Sequence, residues 1–117
     1  MGMNMSKLAD DAYNFLREIF SHYIITKEYY VNYHGTRFFF DFYIKDLALL
    51  VEVQGRQHDG FVKHFHTDRE GFLASKARDN LKKEYIEHRN FVLIEIRSEK
   101  ELEKDKFMER VLKEMIL

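Results

Sequence analysis

The sequence predicts an α/β (α+β) fold in which helices pack on one mixed sheet. Apolar residues recur at helical spacing near both ends and in the middle of the chain. The segments between them are rich in aromatic and β-branched residues, which predicts short strands. Proline is absent from the 117 residues and no Gly/Ser-rich linker divides them, so we expect a single domain over 1–117. The expected order of elements is αβββαβα.

The first half of the chain supplies one helix and three strands. Ser6 can cap a helix near residues 7–21, because apolar positions recur along one face from there. A tyrosine-rich strand is expected at 28–33, closed by a His-Gly turn. Residues 37–44 and 47–54 then form an antiparallel hairpin around the two residues between them.

The second half supplies two helices and one strand. Residues 67–70 have the form of a capping box, which opens a long helix ending near 88–90. A short apolar strand follows at 91–97. A second capping box at 98–101 predicts the start of a C-terminal helix.

The composition excludes several classes of protein. The chain has no cysteine, so it forms neither disulfides nor thiolate zinc sites, and the cytoplasm is the expected compartment. No apolar run approaches the roughly 20 residues of a membrane span, so no membrane partner is expected. The net charge of −1 argues against a protein that coats polyanions. A nucleic-acid site would therefore be a local basic surface.

Two acids stand inside the apolar hairpin. In the expected register Asp41 lies opposite Leu50, and Glu52 is its diagonal neighbour on the same face. Gln54 lies one step beyond, opposite Arg37. Burial of an uncompensated charge is costly, so a divalent cation or a basic partner is the natural explanation. The alternative is a half-exposed sheet with two solvated acids.

Asp41, the run Leu50–His58 and the later Arg78-Asp79-x-x-Lys82 together resemble the PD-(D/E)xK nuclease superfamily. The similarity is to its very-short-patch-repair-like and phage homing endonuclease members. It implies a restriction-endonuclease-like αβββαβ core, here with an added C-terminal helix. It also implies a Mg²⁺-dependent endodeoxyribonuclease, with Mn²⁺ as a substitute, in a bacterial or phage-infected host cell.

The resemblance also implies roles for individual residues. Asp41 and Glu52 become the catalytic carboxylates and metal ligands, joined by the backbone carbonyl of Val53. Gln54 stands where most members carry lysine, and glutamine can orient water by hydrogen bonds but supplies no positive charge. His58 could act as a general acid or base near neutral pH, or could simply bond to its own loop.

Basic residues offer contacts to DNA phosphates. The candidates are Arg37, Arg56, Lys63, Arg69, Lys76, Arg78, Lys82 and Lys83. On the long helix, ion pairing along the surface explains part of the pattern equally well. Duplex DNA is the expected partner, and a double-strand break would need a homodimer or two successive nicks. The alternatives are a catalytically inactive nucleic-acid-binding module and a protein-interaction domain that uses its C-terminal helix.

Overall fold

The computed structural model describes residues 3–54 and 69–116, with side chains from residue 7 onward. The main elements are α1 (Met3–Ile19), β1 (Ile25–Tyr33), β2 (Thr36–Ile44), β3 (Leu49–Val53), α2 (Arg69–Arg89), β4 (Val92–Ile96) and α3 (Lys104–Ile116). The predicted α/β class, with a mixed sheet and a C-terminal helix, is confirmed. Within these ranges, none of the helices combines the length and the apolar character needed to cross a membrane.

The four strands form one sheet in the order β1-β2-β3-β4. The first three are antiparallel to their neighbours, and β4 is parallel to β3. The β1–β2 turn is His34-Gly35, as expected, with φ values of 52° and 79° that suit a tight hairpin turn. β3 pairs only with residues 42–44 of β2, so the rest of the β1–β2 hairpin projects beyond this ladder.

The connection between β2 and β3 is longer than the expected two-residue turn. A 3₁₀ helix fills it, followed by Ala48 in the left-handed region at φ 50°. Ile44 therefore pairs with Leu49, and the expected register is wrong by two residues. A shift of two residues leaves every side chain on its face, because strand side chains alternate with period two. One further step along this register brings Asp41 opposite Glu52.

The sheet separates two apolar clusters. α1 and α3 cover one face, where the buried residues are Ala12, Leu16, Phe20, Phe42, Ile44, Leu49, Val51, Val53, Ile94, Ile96, Phe107 and Val111. α2 covers the other face, where the buried residues are Val31, Phe38, Phe40, Leu50 and Tyr85. Phe107 and Val111 thus belong to the core, whereas Leu112, Met115 and Ile116 remain exposed on the helix suggested for partner docking.

Only the C-terminal half of α2 packs closely on the sheet. Tyr85 is 3% exposed and Leu81 packs in the same cluster, whereas Leu73 is 54% exposed. The 21 residues of α2 span about 31 Å at 1.5 Å per residue. The five residues of β3 span only about 17 Å. The helix therefore lies against the strands with its last turns, which include Lys82.

The capping box predicted near the C-terminus serves a different helix from the one expected. The carboxylate of Glu101 accepts hydrogen bonds from the backbone N–H groups of Arg97 and Ser98. These bonds close the 3₁₀ helix Glu99–Glu101, and α3 begins later, at Lys104. The expected start of the C-terminal helix was therefore wrong by several residues.

Candidate functional site

The antiparallel ladder between β2 and β3 opens at Asp41. Backbone pairing is recorded as far as Phe42 and Val51, although both strands continue past that pair. At the next position, Oδ2 of Asp41 accepts a hydrogen bond of 2.7 Å from the backbone N–H of Val53. A side-chain carboxylate thus serves as the acceptor where the two strands separate. The hydrogen bond fixes this carboxylate at the carboxyl end of β3.

Glu52 meets a lysine from the helix above it. Nζ of Lys82 lies 2.9 Å from Oε1 of Glu52, and the two side chains are 20% and 16% exposed. The ammonium also lies 4.9 Å from the centroid of the buried Phe40 ring, within the range of a cation–π contact. This arrangement follows from the faces of the sheet, because Glu52 shares a face with Leu50, which packs under α2.

Burial raises the pKa of both carboxyl groups above their ordinary values. For Asp41, the hydrogen bond from Val53 and the charge of Lys82 oppose this rise in pKa, while Glu28 adds to it. For Glu52, the contact with Lys82 lowers the pKa again, while the charges of Asp41 and Glu95 raise it. Desolvation outweighs the single ammonium in both cases. Among the described residues, the charge of Lys82 therefore does not offset the burial of the two carboxyl groups.

Gln54 lies at the same end of the sheet but contacts a different acid. Its Nε2 donates a 2.8 Å hydrogen bond to Oε2 of Glu95, the β4 residue beside Glu52. Arg97 also reaches Glu95, at 3.3 Å. The expected position of Gln54 opposite Arg37 is wrong, because the β2–β3 register, extended from the Ile44–Leu49 pair, puts residue 54 level with residue 39. The two-residue change in register accounts for the difference.

Apart from Gln54, which contacts Glu95, and Lys82, which contacts Glu52, the predicted site residues divide into three groups. Asp41, Glu52 and Val53 come together, although the contact of Val53 is through its N–H and the role of its carbonyl stays a prediction. Side chains at the surface, where they could reach a phosphate backbone, are Arg37, Arg69, Lys76, Arg78 and Lys83. His58, Arg56 and Lys63 lie outside the described residues, and their roles remain predictions.

Sequence reasoning missed two acids and the position of one base. Glu28, at φ 52° in β1, is close enough to Asp41 to affect its pKa. Glu95 is the parallel partner of Glu52. Lys82 was expected as a surface phosphate contact, but it lies against Glu52. Two features of the sequence could have revealed these residues. Glu95 is an acid within the otherwise apolar β4, and Lys82 directly follows the sheet-facing Leu81.

The carboxylates form a pair and not a larger cluster. In the part of the chain that the structure describes, no group of three or more His, Cys, Asp or Glu side chains is placed to hold a metal ion. Mg²⁺ commonly takes only one or two protein carboxylates and completes its shell with water and phosphate oxygens. The donor set of Asp41 and Glu52 is therefore sufficient for Mg²⁺ together with a phosphate-containing substrate.

Comparison with known proteins finds one partial relative. The chain is 41% identical over 56 residues to the uncharacterized protein 307L of Invertebrate iridescent virus 6. The match spans 48% of this chain and 28% of the viral protein. No family model matches the chain. No solved structure matches it either.

Proposed function

We propose that this chain is a metal-dependent endonuclease that hydrolyses phosphodiester bonds in DNA, with Asp41 and Glu52 as its catalytic carboxylates. One observation carries the proposal: two partly buried carboxylates lie near each other at the carboxyl end of β3, and among the described residues the charge of Lys82 lowers the pKa of both. A fold stabilised by charge balance alone would match acids with bases. An excess of buried negative charge is typical of a site that binds a cation or performs proton chemistry.

The residues present fit a divalent cation. Both donors are carboxylate oxygens, which are the ligands that Mg²⁺ and Mn²⁺ prefer. Burial raises the pKa of Asp41 and of Glu52, the charge of Asp41 adds to the rise at Glu52, and a bound cation would relieve both effects. When bound, the cation would supply positive charge to the phosphate and favour deprotonation of water.

The side chains of this site have separate tasks in the reaction. Asp41, held by the N–H of Val53, presents a carboxylate of fixed orientation. Glu52 presents a second carboxylate, whose position is held by Lys82. A water oxygen bonds to phosphorus and the ester P–O bond breaks. The attacking water loses a proton and the leaving oxygen gains one, so the products are a phosphomonoester and a hydroxyl group.

Two further observations support the proposal. The element order αβββαβ, followed by a helix, is the order that the resemblance to PD-(D/E)xK nucleases implies. Exposed basic residues along α2 offer phosphate contacts next to Lys82. The rival proposal is a catalytically inactive binding module. The hydrogen bond from Gln54 to Glu95 favours this rival, because the glutamine is engaged away from the acid pair.

A plasmid-nicking assay separates the two proposals. Purified protein should convert supercoiled DNA to nicked or linear DNA in Mg²⁺ or Mn²⁺. Calcium should support DNA binding without turnover, because its looser coordination positions water and phosphate poorly. Full activity in chelator would refute the metal-dependent reading. DNA binding without cleavage in any of these metals would favour the inactive module.

Matched acid variants identify the site responsible for any cleavage. Asp41→Asn should abolish cleavage, whereas Asp46→Asn should leave it unchanged. Asp46 is an exposed acid in the 3₁₀ turn, at the other end of β3 from Glu52. Equal activity in both variants would assign the cleavage to another site or to a contaminating nuclease.

A further inference from the structure

Lys82 is in an unusual place for a lysine. It follows Leu81 and lies three residues before Tyr85, so it borders the sheet-facing stripe of α2. Its side chain is only 20% exposed, and its ammonium lies between the Glu52 carboxylate and the Phe40 ring. Lysine is rarely this buried unless it is paired. The sheet-facing edge of the helix therefore carries a cation to the acid pair.

A purely structural ion pair is a poor explanation of this position. Desolvation of two charges costs about as much as their attraction returns, so a partly buried pair adds little net stability. The surrounding cluster is aromatic and aliphatic, and an apolar pair would extend it without that cost. Lys82 pairs directly with Glu52, and its charge also lowers the pKa of Asp41, so this one ammonium acts on both carboxylates.

The ammonium group of Lys82 has more N–H donors than its contact with Glu52 uses. It has three N–H donors, and one of them bonds to Glu52. In the part of the chain that the structure describes, the other two have no hydrogen-bond partner. A phosphate oxygen entering beside the two carboxylates would supply acceptors for them.

We propose that Lys82 is a catalytic residue whose ammonium group moves from Glu52 onto the phosphate during hydrolysis and stabilises the negative charge that develops there. The inference rests on the proposed function of Asp41 and Glu52. A divalent cation held by Glu52 would weaken the attraction between Glu52 and Lys82, and an incoming phosphate would offer the ammonium a new anion. Lys82 acts through its charge and its hydrogen bonds.

The experiment compares Lys82→Gln, Lys82→Met and Lys82→Arg with the wild-type protein. At saturating Mg²⁺ we expect the two neutral variants to lose about 10²-fold in kcat, the usual effect of removing one donor to a developing oxyanion. Lys82→Arg retains the charge and should keep kcat within about tenfold of wild type. Lys82→Met keeps the apolar stem over Phe40, so it provides a folded neutral variant if glutamine destabilises the site.

Calorimetric titration with Mg²⁺ supplies a measurement independent of activity. Removal of a cation next to Glu52 should leave Mg²⁺ affinity unchanged or increase it, because the ammonium competes for the same carboxylate. Lys113→Gln is the control, since Lys113 is an exposed helix lysine on the opposite face of the sheet. It should change neither kcat nor Mg²⁺ affinity.

Three results would overturn the role of Lys82. One is a neutral variant that keeps kcat within about threefold of wild type. Another is weaker Mg²⁺ binding with full kcat at saturating metal, which would make Lys82 a residue that only positions Glu52. The third is an equal loss of kcat in Lys82→Arg and Lys82→Gln. A wild-type protein that binds Mg²⁺ but never cleaves would instead overturn the proposed function itself.

Discussion

The two faces of the strand pair β3 and β4 differ in polarity, although the same ten residues supply both faces. On the face covered by α1 and α3, Val51, Val53, Ile94 and Ile96 are between 0% and 6% exposed. On the face covered by α2, the alternate positions begin apolar and become acidic towards the carboxyl ends of the strands. Leu50 is followed by Glu52, and the partner strand places Glu95 beside it.

The difference shows how one pair of strands can serve stability and chemistry at once. The apolar face contributes burial, which stabilises the fold in proportion to the area removed from water. The acidic face opposes folding, because burial penalises the charged forms of Asp41 and Glu52 more than the charge of Lys82 favours them. Substitutions on the two faces should therefore have opposite effects on stability and on activity.

Neutralising the acid pair should give the largest effect on activity. Asp41→Asn and Glu52→Gln should each reduce Mg²⁺-dependent cleavage by about 10³-fold or more, because the ligands for the cation are lost. The melting temperature should stay the same or rise, since like-charge repulsion is relieved while the amide oxygens can still accept hydrogen bonds. Mg²⁺ should raise the melting temperature of the wild type but not that of either variant.

Loss of more than about 1 kcal/mol of stability in Asp41→Asn or Glu52→Gln would indicate structural acids with orphaned partners. A destabilised variant that still cleaves would refute the assignment of the site. Melting curves with and without Mg²⁺, recorded on the protein used for the cleavage assay, distinguish these outcomes.

Truncation on the apolar face should give the largest effect on stability. Ile96 is 0% exposed, and Ile96→Ala should lower the free energy of unfolding by about 2–5 kcal/mol through lost burial and a residual cavity. Leu112→Ala, at a side chain that is 53% exposed, should change it by about 0.5 kcal/mol or less. Urea denaturation measures both, and similar losses in the two variants would contradict the assignment of the core.

Placing a lysine at position 54 should have an intermediate effect on cleavage. Gln54→Lys alone should preserve or increase cleavage, because it adds an ammonium two residues from Glu52 on the same face. In a Lys82→Gln background it should recover about tenfold of the lost kcat. Gln54→Ala should slow cleavage. If the alanine variant behaves like wild type in single-turnover kinetics, Gln54 only bonds to Glu95 at the strand end.

The smallest expected effect is a change of folding stability with pH. Burial raises the pKa of Asp41 and of Glu52, so the folded state holds these two protons more tightly than the unfolded state. Their contribution to stability is therefore lost as the pH rises from the ordinary carboxyl range, about pH 4, through the raised pKa values. In chelator, the wild type should lose more stability than Asp41→Asn over this interval, and parallel melting curves would contradict the raised pKa.

Sequence patterns predicted the elements well because the patterns are local. The hydrophobic periodicity located α1, and the His34-Gly35 pair located the β1–β2 turn. The β2–β3 register was predicted wrongly because the connection is longer than a two-residue turn. Ala48 adopts a left-handed conformation that normally favours glycine, so the residue types there did not indicate the longer turn. Asp41 and Glu52 remain neighbours despite this difference in register, and the charge of Asp41 raises the pKa of Glu52.

The candidate site was less predictable than the fold because its contacts join distant parts of the chain. Lys82 and Glu52 are 30 residues apart, and their contact depends on how α2 crosses the sheet. The contact of Gln54 with Glu95 spans 41 residues and depends on the parallel β3–β4 register. Sequence spacing predicts which residues share a face, but the choice between charged neighbours is made by tertiary packing.

The turn before β3 imposes a rule on how this chain can vary in length. Insertion or deletion of one residue at 45–48 would reverse the faces of β3 and turn Glu52 towards the apolar helices. A change of two residues would keep the faces but move Glu52 about 7 Å along Asp41's strand. Substitutions should be tolerated best at the exposed Lys45 and Asp46, because Leu47 packs against the core and Ala48 has a left-handed backbone. A change in the length of the turn that moves the register should be tolerated least.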